Sequence, residues 1–167
     1  SHPVEVTRIL YDLNPQIQSN MLTVALLHDT LEGTQVTLPF LKVVFGEDVS
    51  DLVVRCSKAS QLARCDLKTR KSRLNDELIL IENMRIDWRV AVIEVCDRLH
   101  NMRTISQLTY EKRTRIASQT YDLYMPVAHR LGLFRIKTEL GDLAFRELEP
   151  SLFEELYDFV SKNSATH

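Results

Sequence analysis

Several residue types and patterns are scarce in this chain of 167 residues, and each scarcity excludes a class of protein. Four glycines and five prolines are too few for the frequent tight turns of an all-β protein. No apolar run approaches the roughly 20 residues that a membrane-spanning helix needs. The three cysteines, Cys56, Cys65 and Cys96, lack CxxC spacing, which argues against a disulfide framework or a zinc ribbon and favours a reducing cytoplasm.

An excess of basic charge is also missing. The chain has 21 Lys and Arg against 23 Asp and Glu, a formal net charge of -2, which argues against a nucleic-acid or membrane-surface partner because both attract basic faces. An anionic ligand would therefore need a local cationic pocket. The basic residues between Lys68 and Arg73 could neutralise substrate phosphates, but a run of like charge is more often a solvated face.

Apolar residues make up 44% of the chain, and they recur at spacings of three and four. This periodicity predicts an all-α fold, a single compact bundle of about ten helices that forms one domain over residues 1–167. The segment 17–31 is apolar nearly all round and is predicted to be the central helix. A long loop is predicted over 57–72, where the apolar pattern dissolves. The other predicted helices cover residues 3–13, 38–46, 49–56, 74–84, 90–105, 111–124, 125–131, 136–148 and 150–160.

The dipeptide His28-Asp29 and the distant Asp97 are the first candidates for a functional site. An adjacent imidazole and carboxylate can both face one cation only near a helix end or a distortion of the helix. A second carboxylate from another helix would then complete a site for a hard or borderline divalent ion. A His-Asp dipeptide taken alone is more often an ordinary surface pair, so the residues around it decide the interpretation.

Four strings carry a resemblance to a known family. They are His2-Pro3 at the start of the first helix, ALLHDTLE at 25–32, DRLHNMRT at 97–104 and PVAHRLG at 126–132. In this order and spacing they resemble the HD hydrolase domain of the RelA/SpoT family, the bacterial enzymes that make and destroy guanosine tetra- and pentaphosphate. The eight-residue DRLHNMRT string is highly specific, whereas His-Asp alone is weak evidence, and this disfavours an HD phosphohydrolase acting on another nucleotide.

The resemblance implies a set of site residues and a cofactor. One manganese ion would be held by two imidazoles and two carboxylates, although such a ligand set also accepts zinc or iron. On the sequence alone, a histidine so close to the terminus is more often frayed, and a glutamate at a helix end can simply be solvated. The implied metal ligands are His2, His28, Asp29 and Asp97, the implied catalytic carboxylate is Glu32, and the implied nucleotide contacts are Asn101 and Thr104.

The implied activity is metal-dependent hydrolysis of guanosine 3',5'-bis(diphosphate), or ppGpp, to GDP and pyrophosphate in the bacterial stringent response. One position departs from the family pattern. Hydrolysing relatives carry Glu-Asp where this chain has Glu32-Gly33. Loss of a general acid or base typically costs about 10²–10⁴ in rate, which predicts a weakened hydrolase. The alternative is a hydrolysis-impaired, metal- and nucleotide-binding regulatory domain of a longer (p)ppGpp synthetase.

Both ends of the sequence bear on this alternative. The chain begins Ser1-His2-Pro3 rather than with methionine, which suggests an excised or processed fragment. Residues 132–150 resemble the segment that leads to a synthetase domain in long family members, so about 132–167 is expected to form that helical connection. We therefore expect this chain to be the N-terminal part of a longer bifunctional protein, with the synthetase domain as a partner in the same chain.

Overall fold

The computed structural model describes residues 1–64, 78, 81–82 and 84–164. All regular elements in these ranges are helical, which confirms the all-α prediction. None of the described helices is both long and apolar enough to cross a membrane. A 3-10 turn, Ile105–Gln107, and a π-helical turn, Thr120–Tyr124, interrupt the α-helices. The α-helices are α1 (His2–Leu13), α2 (Ser19–Leu27), α3 (Thr30–Gly33), α4 (Leu38–Arg64), α5 (Trp88–Arg103), α6 (Tyr110–Gln119), α7 (Met125–Arg130), α8 (Phe134–Leu148) and α9 (Pro150–Ser164).

The described residues divide into two compact units. The first runs over Ser1–His100 and the second over Asn101–His167. Helices α1 to α4 and most of α5 lie in the first unit, which contains all four predicted metal ligands. Helices α6 to α9 belong to the second.

Helix α1 has the start and end that its sequence predicts. Pro3 lies in the first turn, where a missing N–H costs nothing, and the helix ends before Asn14, whose backbone is extended. Val6 and Ile9 are buried, and they share one helical face with His2 at spacings of four and three residues. Burial of this apolar face therefore fixes the direction of the His2 side chain.

The predicted central helix over 17–31 is wrong in extent and in role. Helix α2 ends at Leu27 because Asp29 leaves the regular helical conformation, with φ -93° and ψ -2°. Leu26 on this helix is 45% exposed. The helix that is buried nearly all round is α5, where every residue from Val90 to Leu99 is buried. The apolar composition of α2 gave no information on which side chains would face solvent.

Helix α4 corrects the predicted loop. Gly46 interrupts it as expected, with a positive φ of 83° that favours glycine. The helix then resumes and continues to Arg64, so the loop predicted over 57–72 is wrong as far as 64. Ser57 and Ser60 are buried, on either side of the fully buried Ala59. Their polarity resembled that of a loop, but both hydroxyls bond to carboxylates inside the first unit. The rest of the loop, including Lys68 to Arg73, and Cys65 lie outside the described residues.

The second unit follows the predicted helices with shifted ends. Helix α6 widens into the π-helical turn, where the Thr120 hydroxyl donates to the Ile116 carbonyl oxygen at 2.7 Å. Gly132, with φ 72°, ends α7. Helix α8 buries Ile136 and Leu140 at helical spacing. In the first unit, the residues of 74–84 that the structure describes are helical, as predicted.

Candidate metal centre

The break between α2 and α3 brings an adjacent histidine and aspartate to the same point. His28 is still helical, whereas Asp29 has φ -93° and ψ -2°, and the next helix starts at Thr30. The carbonyl oxygen of Asp29 accepts hydrogen bonds from the backbone N–H groups of Glu32 and Gly33 at 3.2 and 3.0 Å. The predicted distortion at the His-Asp pair is thus confirmed, and it lets both side chains face one point.

Four side chains from three parts of the chain converge there. His2 Nε2 lies 2.8 Å from Asp97 Oδ1 and 3.5 Å from Asp29 Oδ2. His28 Nε2 lies 3.5 Å from Asp29 Oδ2 and 3.7 Å from Asp97 Oδ1. One ligand atom from each of His2, His28 and Asp29 lies within 4.8 Å of the others. Distances of this size separate donors that could share one cation.

The centre is open on one side. The side chains of His28 and Asp97 are 0% and 9% exposed, whereas those of His2 and Asp29 are each 27% exposed. A cation held by these four groups would therefore have protein behind it and solvent in front. Water or a phosphate oxygen could approach it from the side of His2 and Asp29.

The side chains of the centre also compensate one another electrostatically. Burial alone would raise the pKa of Asp97, but the imidazoles of His2 and His28 hold it well below its ordinary value. Burial alone would lower the pKa of His28, but the carboxylate of Asp97, the Ala25 carbonyl and the charge of Asp29 raise it to about 9. In the metal-free protein the attraction between Asp97 and His28 thus offsets the cost of burying both groups.

The geometry of His28 tests whether the centre fits a metal ion. His28 Nδ1 lies 2.7 Å from the Ala25 carbonyl oxygen, which can only accept, so Nδ1 carries a hydrogen. In the neutral ring Nε2 then keeps its lone pair. This buried Nε2 makes no hydrogen bond to the residues that the structure describes, and it faces Asp29 and Asp97. A divalent metal ion placed between this nitrogen and the two carboxylates would bind a lone pair from each of them. The donor set therefore fits such an ion.

The HD-domain family model matches residues 1–134. The chain belongs to the HD-domain family. The bifunctional (p)ppGpp synthase/hydrolase SpoT of Escherichia coli (strain K12) is 39% identical over 160 residues, which are 96% of this chain and 22% of that protein. A GTP pyrophosphokinase of Myxococcus xanthus is 39% identical over 162 residues, 96% of this chain and 21% of that protein.

These relatives make the assignment more specific. The chain is an HD domain of the RelA/SpoT type, as its motifs indicated. It spans about a fifth of the length of the curated relatives that it matches. The 1.85 Å crystal structure of lmo0812 from Listeria monocytogenes EGD-e has a TM-score of 0.63 at 20% identity. That match covers 89% of this chain and 94% of the other, and it supports the fold.

The HD domain holds Glu32, the predicted catalytic carboxylate, on α3 beside the metal centre. Glu32 is exposed, but its Oε1 accepts a hydrogen bond of 2.9 Å from the hydroxyl of the buried Ser57. This bond anchors one carboxylate oxygen. Its catalytic role stays a prediction.

The two predicted nucleotide contacts lie in the second unit. Asn101 is in the last turn of α5, and Thr104 follows the end of that helix. The Thr104 hydroxyl lies 3.3 Å from the Asn101 carbonyl oxygen and donates to it. Their contacts with a nucleotide stay a prediction.

Sequence reasoning missed the polar groups around the ligands. Glu94 on α5 is 1% exposed, and its Oε1 accepts a hydrogen bond of 3.2 Å from Ser60. His100 Nδ1 lies 2.8 Å from His2 Nδ1. The partners in these pairs are 34 and 98 residues apart, so no local pattern links them. A titratable residue inside an otherwise apolar helix was the available signal for Glu94.

Proposed function

We propose that this chain is a manganese-dependent hydrolase that removes the 3'-pyrophosphate of ppGpp and returns GDP. The observation that supports it best is the convergence of His2, His28, Asp29 and Asp97, with imidazole nitrogens 2.8 to 3.7 Å from carboxylate oxygens. The relatives named as 3'-pyrophosphohydrolases match 96% of this chain. A cytoplasmic location, a stringent-response role and a synthetase domain in a longer chain belong to this proposal.

The reaction needs one water molecule and no oxidant. Water oxygen bonds to the phosphorus next to the 3' oxygen, the bond between that phosphorus and the 3' oxygen breaks, and pyrophosphate leaves while the 3' oxygen gains a proton. A bound divalent ion would supply positive charge to the phosphoryl oxygens and make water easier to deprotonate. The two imidazoles and two carboxylates would hold that ion, with the open side of the centre facing the substrate.

Glu32 would take the proton from the attacking water. A general base must hold its carboxylate in a defined position, and the hydrogen bond of 2.9 Å from the Ser57 hydroxyl to Oε1 contributes to this. Asn101 and Thr104 would contact the nucleotide. These assignments follow the residues that match the family motifs.

Gly33 supports the second candidate function, a regulatory domain that binds metal and nucleotide without turning the nucleotide over. An ideal Cβ placed on Gly33 meets no atom within 4 Å, so a side chain fits there without displacing its surroundings. An aspartate at this position would add the second carboxylate of the Glu-Asp pair. The substitution Gly33→Asp therefore separates the two functions.

The test measures pyrophosphate released from ppGpp by the purified chain with Mn²⁺. Turnover by the parent that is lost in Asp97→Ala supports the hydrolase, because Asp97 is the most deeply placed carboxylate of the centre. We expect Gly33→Asp to raise this rate by about 10²-fold, at the lower end of the range for a general acid or base.

Gly33→Asn is the matched control, since it adds a side chain of the same shape without the charge. A parent without turnover, together with Gly33→Asp that turns over, would favour the regulatory domain. No turnover in the parent or in Gly33→Asp, while both bind Mn²⁺, would contradict the proposed hydrolase.

A further inference from the structure

The two imidazoles of the metal centre are held in different ways. His28 Nδ1 bonds to a backbone carbonyl oxygen at 2.7 Å, so the main chain fixes the tautomer that leaves Nε2 free of hydrogen. His2 Nδ1 has a side-chain partner instead. It lies 2.8 Å from Nδ1 of His100, and the two rings are inclined at 65° with their centroids 4.7 Å apart.

A contact between two ring nitrogens at this distance is a hydrogen bond with one hydrogen between them. If Nδ1 of His2 carries the hydrogen, its Nε2 has a lone pair for a cation. If Nδ1 of His100 carries it, a neutral His2 ring has its hydrogen on Nε2, pointing at Asp97 Oδ1 at 2.8 Å, and cannot bind a metal through that atom. The direction of this one bond therefore determines whether His2 is a competent ligand.

We propose that His100 is a positioning residue that accepts the Nδ1–H of His2, and so fixes both the ring and the tautomer of that ligand. His100 would carry its own hydrogen on Nε2. The inference rests on the proposed metal-dependent function. In it His100 positions the metal ligand His2 and does not contact the substrate. Outer partners of this kind orient metal-bound imidazoles, and their removal typically costs 10–100-fold in metal affinity.

Position and exposure make His2 the ligand that needs such support. It is on the first turn of α1, and its side chain is 27% exposed, whereas that of His28 is 0% exposed. Packing and the bond to the Ala25 carbonyl oxygen hold His28, but the partly exposed His2 ring has rotational freedom to lose. A side chain from α5 that bonds to its inner nitrogen reduces this cost before the metal binds.

The test compares two substitutions of His100. Asparagine has an amide oxygen near the position of Nδ1 and can still accept from His2, whereas leucine cannot. We expect the dissociation constant for Mn²⁺, measured from the electron paramagnetic resonance signal of the free ion, to rise 10- to 100-fold in His100→Leu. In His100→Asn it should stay within about threefold of the parent.

His129→Leu is the matched control, because His129 is an exposed histidine of the second unit, and it should leave the affinity unchanged. A second measurement reads the tautomer directly. In the Zn²⁺-loaded parent, long-range ¹H–¹⁵N spectra should place the hydrogen of His2 on Nδ1. Circular dichroism checks that each variant is folded.

Equal Mn²⁺ affinity in the parent and His100→Leu would overturn the role of His100, as would equal losses in the leucine and asparagine variants. Neither result bears on turnover. Conversely, a parent that binds Mn²⁺ with the expected dependence on His100, but releases no pyrophosphate from ppGpp, would overturn the proposed hydrolase and leave this inference standing. Absence of Mn²⁺ binding in the parent would overturn both.

Discussion

Replacing Glu94 tests the electrostatics beneath the metal centre. Its side chain is fully enclosed by the first unit, and its Oε1 accepts one hydrogen bond, from Ser60 at 3.2 Å. Burial, and then the negative charge of Asp97, raises the pKa of Glu94 to about 8, although the charge of His28 and the Ser60 bond act in the opposite direction. Glu94 is thus protonated in the folded, metal-free protein near neutral pH.

The raised pKa makes stability depend on pH with a definite sign. In the unfolded chain Glu94 ionises near its ordinary value of 4.5, so between that pH and about 8 the folded state binds one proton more than the unfolded state. The contribution of Glu94 to the free energy of unfolding therefore falls as pH rises through this window. At about 1.4 kcal/mol per pKa unit, ionisation of Glu94 lowers the free energy of unfolding above this pH range by an amount on the order of 5 kcal/mol.

The substitution Glu94→Gln removes this cost because glutamine keeps an oxygen for Ser60 and cannot ionise. We expect the parent and the variant to have equal free energies of unfolding near pH 5. The variant should be more stable by about 3–5 kcal/mol near pH 9. Urea unfolding with EDTA present measures this, followed by the fluorescence of Trp88, the single tryptophan, which is on the same helix.

The control for this experiment is Glu155→Gln, since Glu155 is an exposed glutamate of α9. It should show no stability difference that depends on pH. If Glu94→Gln and the parent differ by the same amount at both pH values, Glu94 does not change its ionisation on folding, and the electrostatic account given above is wrong.

Four further predictions concern the metal and the backbone. Because the carboxylates raise the pKa of His28 to about 9, a metal must displace its proton, and Mn²⁺ affinity should weaken about tenfold for each pH unit below that value. Titrations from pH 6.5 to 8.5 measure this, and an affinity independent of pH would contradict it. Gly132→Ala should lower the free energy of unfolding by roughly 1–2 kcal/mol because φ is 72° there. Gly141→Ala should be neutral or stabilising by up to about 1 kcal/mol in urea unfolding, since the new Cβ meets only the movable end of Met125 at 3.0 Å. EDTA should lower the thermal midpoint of a Mn²⁺-loaded sample without changing its helical circular dichroism at 25 °C, and loss of helix on chelation would show that the metal is needed for folding.

The side chains that converge at the candidate centre could be picked out from the sequence because local motifs contain them. His28 and Asp29 are adjacent, and Asp97 begins an eight-residue string that few other proteins would share. The requirement that two neighbouring residues face one cation also predicted the break after α2, where Asp29 has φ -93°. Site residues that lie close together in the sequence can therefore be predicted from local motifs.

The surroundings of the ligands could not be predicted in the same way. Ser57 and Glu32 are 25 residues apart, and Ser60 and Glu94 are 34 residues apart. A serine that bonds to a distant carboxylate has the same local pattern as a serine in a loop, which is why the end of α4 was predicted as loop. Tertiary structure alone distinguishes the two.

Apolar composition failed for a related reason when it was used to choose the central helix. Helix α2 is rich in apolar residues, yet Leu26 is 45% exposed. Helix α5 carries Glu94, Asp97 and Arg98 and is nonetheless the buried one. Charged residues lower its mean hydropathy, so composition does not identify it as the helix that the fold buries.

The burial of α5 also explains why the metal centre is enclosed on one side and open to solvent on the other. A deeply placed helix can present Asp97 from behind, where water is excluded, while α1 and the break after α2 bring His2 and Asp29 to the rim. The buried negative charge of Asp97 would be costly alone, but His2 and His28 lie 2.8 and 3.7 Å from it and offset that cost before any cation arrives. The same imidazoles that would bind the metal thus compensate the charge of Asp97 in the metal-free centre.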